Sequence, residues 1–448
     1  MRLRGGGDWD LDRRKGRDKK KNRRRDISGQ ALEKQMDEIS EESYCNRRKR
    51  RRKYCIWGVI LVALLLAIMI IAIIVAKKNN EAGNGTATSD TTNAPPPNNS
   101  NLQGLDPNSV AADKKGGWMD PWSWYNTNDF NVTYTPETVG GLPVIGLFDT
   151  WDDSNAPNDN VPNLKQPYPY GKTPFRGVNI GGWLSLEPFI TPSLFRPYEK
   201  QGVVDEYTLT KLLGASQAKQ TLEKHYDSFV TKNTFKEIAA AGLDHVRIPF
   251  PYWAIVTYPA DPYVPQVAWR YLLRSIEWAR QYGLRIKLDL HAVPGSQNGW
   301  NHSGRQGSIN WINGPDGAAN AQRSLDIHDQ LSKFFSQPRY ANIVTLYGLV
   351  NEPKMIAIPV SAVNSWTVSA ASIVRKNGFK GAIVFGDGFL GLDKWKGQLS
   401  GVQNAAVDVH DYTIFNTDQI AFPHREKAKF ACAGWGSQIQ KSMDTSTG

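Results

Sequence analysis

Outside its first 53 residues this sequence has almost no surplus of charge of either sign. The net charge of +11 looks at first like the signature of a nucleic-acid binder. Residues 1–53, however, hold 20 Lys/Arg against 10 Asp/Glu, and the remainder is nearly balanced at 34 against 33. A body without a positive field has no electrostatic reason to seek nucleic acid, so no nucleic-acid partner is expected. Nucleotide-loop glycines are also missing. No Gly-rich dinucleotide or phosphate loop follows the first strand candidate, Arg176–Asn179, which argues against a nucleotide cofactor. Short histidine ligand pairs are absent too. His291, Glu352 and His410 are widely spaced and form no HxxxH motif, so neither a metal nor any other cofactor is expected. Cysteine is scarce, with three residues at 45, 55 and 432. Cys432 would stand alone on the outer side of the topology derived below, where a lone cysteine suggests a lost partner.

One long apolar run is present. Ile56 to Ala76 reads IWGVILVALLLAIMIIAIIVA without a charge. That length matches the roughly 20 residues a helix needs to cross the hydrocarbon core. It lies too far into the chain, and runs too long, for a cleaved signal peptide. Seven consecutive basic residues, Arg47 to Lys53, precede it, and only Lys77 and Lys78 follow it. Positive-inside bias then predicts a single-pass type II protein of the cell membrane, with its N-terminus cytoplasmic and the rest extracellular. The basic cluster should also attract anionic membrane lipid.

Four pieces follow from this reading: a disordered basic tail over 1–53, a signal-anchor helix over 54–76, an Asn/Pro/Ser/Thr-rich stalk over 77–115 and a globular domain over 116–448. Glycosylation sequons begin at Asn84 and Asn98 in the stalk and at Asn131 and Asn301 in the domain. All four lie on the expected outer side.

Within the domain, short apolar runs alternate with helical patterns. Strands are expected at Arg176–Asn179, His245–Pro249, Arg285–Leu290, Ile343–Val350, Ala382–Phe385 and Ala406–Val409. Helices are expected at Val267–Tyr282, Ala318–Phe335 and Val360–Asn377. Such alternation implies an α/β fold with parallel strands, either an open doubly wound sheet or part of a (β/α)8 barrel. Polar residues gather at successive strand ends: Arg247, His291, Asn351-Glu352, Asp387, then His410 and Tyr412. In a barrel these ends share one mouth, where active sites form. Glu352 is the leading catalytic candidate. Beside an apolar strand, its carboxyl group is expected to be desolvated, raised in pKa and able to donate a proton to a leaving oxygen. Asn351 is placed to hold a substrate hydroxyl. The competing role for Glu352 is a structural pairing with Arg247.

Five blocks in order resemble the fungal exo-β-1,3-glucanases of glycoside hydrolase family 5, in their membrane-anchored branch. They are Arg176-Gly-Val-Asn-Ile-Gly-Gly-Trp-Leu-Ser-Leu-Glu187-Pro, His245-Val-Arg-Ile-Pro, Asp289-Leu-His-Ala-Val-Pro-Gly-Ser-Gln-Asn-Gly299, Asn351-Glu-Pro and His410-Asp-Tyr412. The resemblance implies a (β/α)8 barrel that removes terminal glucose from β-1,3-glucan by a retaining mechanism. It implies Glu352 as acid/base, and Asn351, Arg247, His291, His410 and Tyr412 around the sugar. Glu187 would hold the terminal glucose, and Trp300 and Phe415 would grip the next one between aromatic faces.

A retaining glycosidase needs a second carboxylate roughly 5 Å from the first. The resemblance places it at the end of a seventh strand, and no glutamate follows Glu426. The chain is therefore expected to be C-terminally truncated, with about six of eight strands, one of two catalytic carboxylates and little or no turnover. The alternatives are a glucan-binding or remodelling protein without hydrolysis, or a structural membrane protein with a degenerate barrel.

Overall fold

The computed structural model describes residues 150–445 continuously, with 106–112, 115, 120, 122 and 138–144 before them. The basic tail, the expected span 54–76 and the sequons at Asn84, Asn98 and Asn131 lie outside the described residues. Among those described, no helix is long and apolar enough to cross a membrane. Of the expected stalk, 106–112 and 115 are described, with one 3-10 turn at Pro107–Ser109 capped by Asp106.

A small antiparallel hairpin pairs β1 (Thr138–Val139) with β2 (Leu142–Pro143). The main sheet has six parallel strands in sequence order: β3 (Gly177–Asn179), β4 (His245–Pro251), β5 (Arg285–Ala292), β6 (Val344–Gly348), β7 (Ala382–Gly386) and β8 (Ala405–Asp408). Consecutive parallel order with a helix between most neighbours is the arrangement of a (β/α)8 barrel, here with six strands described. It is not the order of a doubly wound sheet, where the chain reverses direction across a switch point.

The expected elements form with small boundary shifts. Helices run over Val267–Gln281, Gly317–Phe335 and Val360–Lys376. Two more, Glu206–Phe229 and Lys232–Ala240, connect β3 to β4. The first starts at a reciprocal capping box, in which Asp205 accepts from the Thr208 amide at 2.8 Å, and it breaks at Gly214, where φ is +71°. The regular part of β6 stops at Gly348 rather than Val350. The chain stays tethered beyond it. The Leu349 amide donates to Val384 at 2.9 Å and the Asn351 amide donates to Leu290 at 3.1 Å.

Strand β5 explains how the interior becomes polar. Ile286, Leu288, Leu290 and Ala292 alternate with Arg285, Lys287, Asp289 and His291, and all eight are buried. A period of two puts the first set on one face and the second on the other. Each member of the polar set has a partner. Arg285 donates to the carbonyls of Pro162, Asn163 and Gln166. Lys287 pairs with Asp408 of β8. Asp289 meets Arg247 of β4 at 2.8 Å and His291 at 2.7 Å.

Candidate active site

Polar residues from several strand ends meet around the Glu352 carboxyl group. Glu352 sits four residues past β6 with φ of +47°, a left-handed conformation that side-chain-bearing residues rarely adopt. Such strain costs on the order of 1–3 kcal/mol and persists where surrounding contacts enforce it. The enforcing contacts are visible. Gln297 donates to the carbonyls of both His291 and Asn351 at 2.8 Å, and Asn298 donates to the Glu352 carbonyl at 3.2 Å. Both amide side chains are buried in the loop after β5. That loop turns at Gly295, where φ is +87° and a Cβ would lie 2.1 Å from the Asn310 carbonyl oxygen, so glycine is required there.

Two imidazoles hold the Glu352 carboxyl group. His410 Nδ1 donates to Oε1 at 2.6 Å, and His302 Nε2 donates to Oε2 at 3.1 Å. The other nitrogen of His410 meets Asp408 at 3.2 Å. This corrects the expectation that Glu352 is raised in pKa. Burial does push the carboxyl group up, but the bonds and charges of His302 and His410 outweigh it and hold it well below the usual carboxylate range. His410 moves the opposite way. Burial disfavours its charged ring, yet the bonds to Asp408 and Glu352 lift it to about 9. At neutral pH the resting cluster is an imidazolium between two carboxylates. A structural Glu352–Arg247 pair does not form. Arg247 donates to Asn351 Oδ1 at 2.6 Å and pairs with Asp289 instead.

Several polar atoms here remain unspent. Arg247 Nε, His291 Nε2, Asn351 Nδ2 and His302 Nδ1 are buried without a partner among the described residues. Buried polar groups are ordinarily satisfied. A cluster of unsatisfied ones beside a carboxyl group suits a ligand rich in hydroxyls.

The family description "Cellulase (glycosyl hydrolase family 5)" matches residues 208–445. The chain belongs to glycosyl hydrolase family 5. Its domain is thus a glycoside hydrolase domain. Among curated relatives, the probable glucan 1,3-beta-glucosidase D of Aspergillus clavatus is 58% identical over 349 residues, covering 78% of this chain and 42% of the relative. Its counterpart in Neosartorya fischeri is 56% identical over 351 residues, with the same coverage of 78% and 42%. The chain therefore spans about two fifths of the length of the curated relatives it matches. Among solved structures, a rutinosidase from Aspergillus niger aligns with a TM-score of 0.52 at 24% identity, over 56% of this chain and 73% of that one, a likeness of fold alone.

The family 5 domain places the remaining expected site residues as follows. Glu187 lies in the loop eight residues past β3, where its Oε1 accepts from the Gly182 amide at 3.2 Å. Gly182 takes φ of +67° against Ile190, which leaves no room for a Cβ. Tyr412 is half-exposed. Burial, then the Glu352 charge, pushes its phenol up, and Glu187 adds to this, so the two carboxylates face one region. The Trp300 ring stands 5.2 Å from Phe389, edge to face, and 5.6 Å from His302. Phe415 is 76% exposed and meets Tyr412 at 5.4 Å. Asp387 follows β7, accepting from the amides of Phe389 and Gly391 at 3.2 Å, and burial raises its pKa. Asn301 opens the 3-10 turn between Trp300 and His302, and the hydroxyl of its sequon, Ser303, is buried against Ser296 at 2.6 Å.

Sequence reasoning missed four participants. Gln297 and Asn298 lay inside a block already noted, and two adjacent amides in a turn were the available signal. Asp408 ends β8 and meets His410 two residues on at 3.2 Å. His302 was hidden inside the sequon and carried no signal of its own.

Proposed function

We propose that this chain carries the acid/base half of a retaining β-1,3-glucan hydrolase that removes terminal glucose. The observation that carries the reading is Glu352, held at both oxygens by imidazoles and flanked by the unspent Asn351 and His291 groups. The relatives' printed name, glucan 1,3-beta-glucosidase, supplies the substrate class. In the proposed reaction Asn351 Nδ2 and His291 Nε2 bind hydroxyls of the sugar, and Glu187 holds the terminal glucose. Trp300 and Phe415 flank the next residue, apolar faces against sugar C–H groups. Glu352 must carry a proton when the glycosidic bond breaks. His410 can supply it along the 2.6 Å bond to Oε1, after which Glu352 passes it to the leaving oxygen.

The second carboxylate is assigned to no described residue. Asp289 is committed to Arg247 and His291, Asp408 to Lys287 and His410, and Asp387 to two backbone amides. In this proposal the nucleophile is supplied from outside the described residues. The test is glucose release from laminarin. The full-length protein should release glucose, and its Glu352→Gln variant and the 448-residue chain should not. Turnover by the 448-residue chain equal to that of the full-length protein would refute the assignment of the nucleophile. The committed carboxylates also favour a second reading, a glucan-binding domain without hydrolysis. Laminarin binding that survives Glu352→Gln, with no glucose released by any form, would establish it.

We further propose that residues 54–76 anchor the domain outside the cell membrane, on the strength of the apolar run and its basic flank. Protease digestion of intact cells should remove the family 5 domain and spare the tail. Protection of the domain would reverse the topology.

A further inference from the structure

His302 exchanges no proton in the proposed reaction. Its Nε2 bond to Glu352 is the ring's one hydrogen bond among the described residues, since Nδ1 is buried without a partner. A polar ring that is largely buried and spends its only bond on a single carboxylate oxygen is poorly explained by packing alone. Packing contacts do exist: Trp300 at 5.6 Å and His291 at 5.3 Å between ring centroids. Neither needs a nitrogen at that position.

We propose that His302 is a positioning residue for the acid/base Glu352: its ring pins Oε2 while His410 pins Oε1, so the carboxyl group is fixed in one plane. This rests on the proposed role of Glu352. A carboxylate bonded at one oxygen turns freely about its last torsion, which is broad and two-fold for glutamate. Bonds at both oxygens remove that freedom before substrate arrives, which is the preorganisation that proton transfer requires. The backbone contributes as well. Asn298 grips the Glu352 carbonyl and its own Oδ1 accepts from the Trp300 amide at 2.9 Å, so one loop fixes both the residue and the ring that holds it.

The arrangement also sets when Glu352 gains a proton. A nitrogen that donates to Oε2 favours the carboxylate over the acid and so opposes protonation. The other charged and titratable groups around Glu352 are Asp408 at the end of β8, His410 and Tyr412 beyond it, and Arg247 from β4. Arg247 and His410 favour the carboxylate, and Asp408 and Tyr412 oppose it once ionised. His302 adds to the first group.

The experiment compares His302→Phe, which keeps a ring and removes the donor, with His302→Gln, whose amide nitrogen can reach a similar place. In the 448-residue chain labelled with 13C at glutamate side chains, the Glu352 carboxyl titration should move up by about one pH unit or more in H302F, a tenfold change in proton affinity. H302Q should recover most of it. In the full-length protein H302F should lower kcat for laminarin, leave KM nearly unchanged and shift the pH profile, with rescue by H302Q. A Glu352 titration in H302F that coincides with the unaltered chain would overturn the proposal. If H302F fails to fold, His302→Ala read against H302Q makes the same comparison. Absence of glucose release by the unaltered full-length protein would defeat the hydrolase reading and leave the titration result standing.

Discussion

Glu206 offers the sharpest test of the electrostatics, because its carboxyl group combines full burial with two hydrogen-bond partners among the described residues. It opens the helix Glu206–Phe229 with no exposed surface. Its Oε2 accepts from the Leu186 amide at 3.1 Å and its Oε1 from the Trp253 indole at 3.0 Å. Burial outweighs both bonds and pushes the carboxyl group from 4.5 up to about 8, with the neighbouring Asp205 charge adding to the rise. The folded state therefore holds a proton that the unfolded chain releases above about 4.5. Glu206's contribution to stability is fully present below pH 4.5 and is lost as pH rises through about 8. At about 1.36 kcal/mol per unit, that interval amounts to about 5 kcal/mol. Glu206→Gln cannot ionise, so it escapes this loss. It has one acceptor oxygen for two donors, so one N–H is left facing an amide, at a cost of about 1–3 kcal/mol. The stability curves must then cross. The unaltered chain should be the more stable near pH 5, and E206Q should be the more stable near pH 9, by about 2 kcal/mol or more. Urea unfolding at fixed ionic strength, followed by tryptophan fluorescence at pH 5, 7 and 9, reads this directly. Parallel curves would show that Glu206 does not titrate between these limits and would refute the burial argument. The consequence reaches the site, because Leu186 immediately precedes Glu187.

Two further outcomes follow from the same network. Arg247→Ala leaves Asp289 buried with only His291 and frees Asn351, so it should cost about 3–5 kcal/mol in urea unfolding, and Arg247→Lys should recover less than half, since one ammonium cannot reproduce the guanidinium fork. His410 is raised from 6.5 to about 9, so its contribution is fully present below pH 6.5 and is lost as pH rises through about 9. That is about 3 kcal/mol for the cluster it forms with Glu352 and Asp408. His410→Gln should flatten the fall in melting temperature over this window, and an unchanged slope would place the charge elsewhere.

The middle of the sheet was legible because β4 to β7 are buried on both faces and bounded by turn residues, so apolar runs such as Ile343–Val350 announce themselves. Helices such as Val267–Gln281 carry their own period. The interior of β5 was harder. Arg285, Lys287, Asp289 and His291 make the run look half-solvated, whereas each of them is buried and meets a partner. Strict alternation was the only local sign, and it does not distinguish a wet face from a polar interior.

The protonation of Glu352 failed for a different reason, and it shows where local reading ends. From the chain on either side, Glu352 has an apolar strand before it and a proline after it, and desolvation is the one effect such neighbours can exert. The groups that decide its charge lie 50 and 58 residues away, in the loop after β5 and beyond β8. They meet only because parallel strands in sequential order deliver their C-terminal ends to one rim. A carboxyl group in that position is subject to two opposed forces of similar origin, both enlarged by the same burial. Low dielectric penalises the charge, and low dielectric also strengthens each hydrogen bond to it. Two imidazole donors tip the balance toward the anion. In the proposed reaction Glu352, resting as an anion, must receive its proton late, and His410, 2.6 Å from Oε1, is the donor proposed for it.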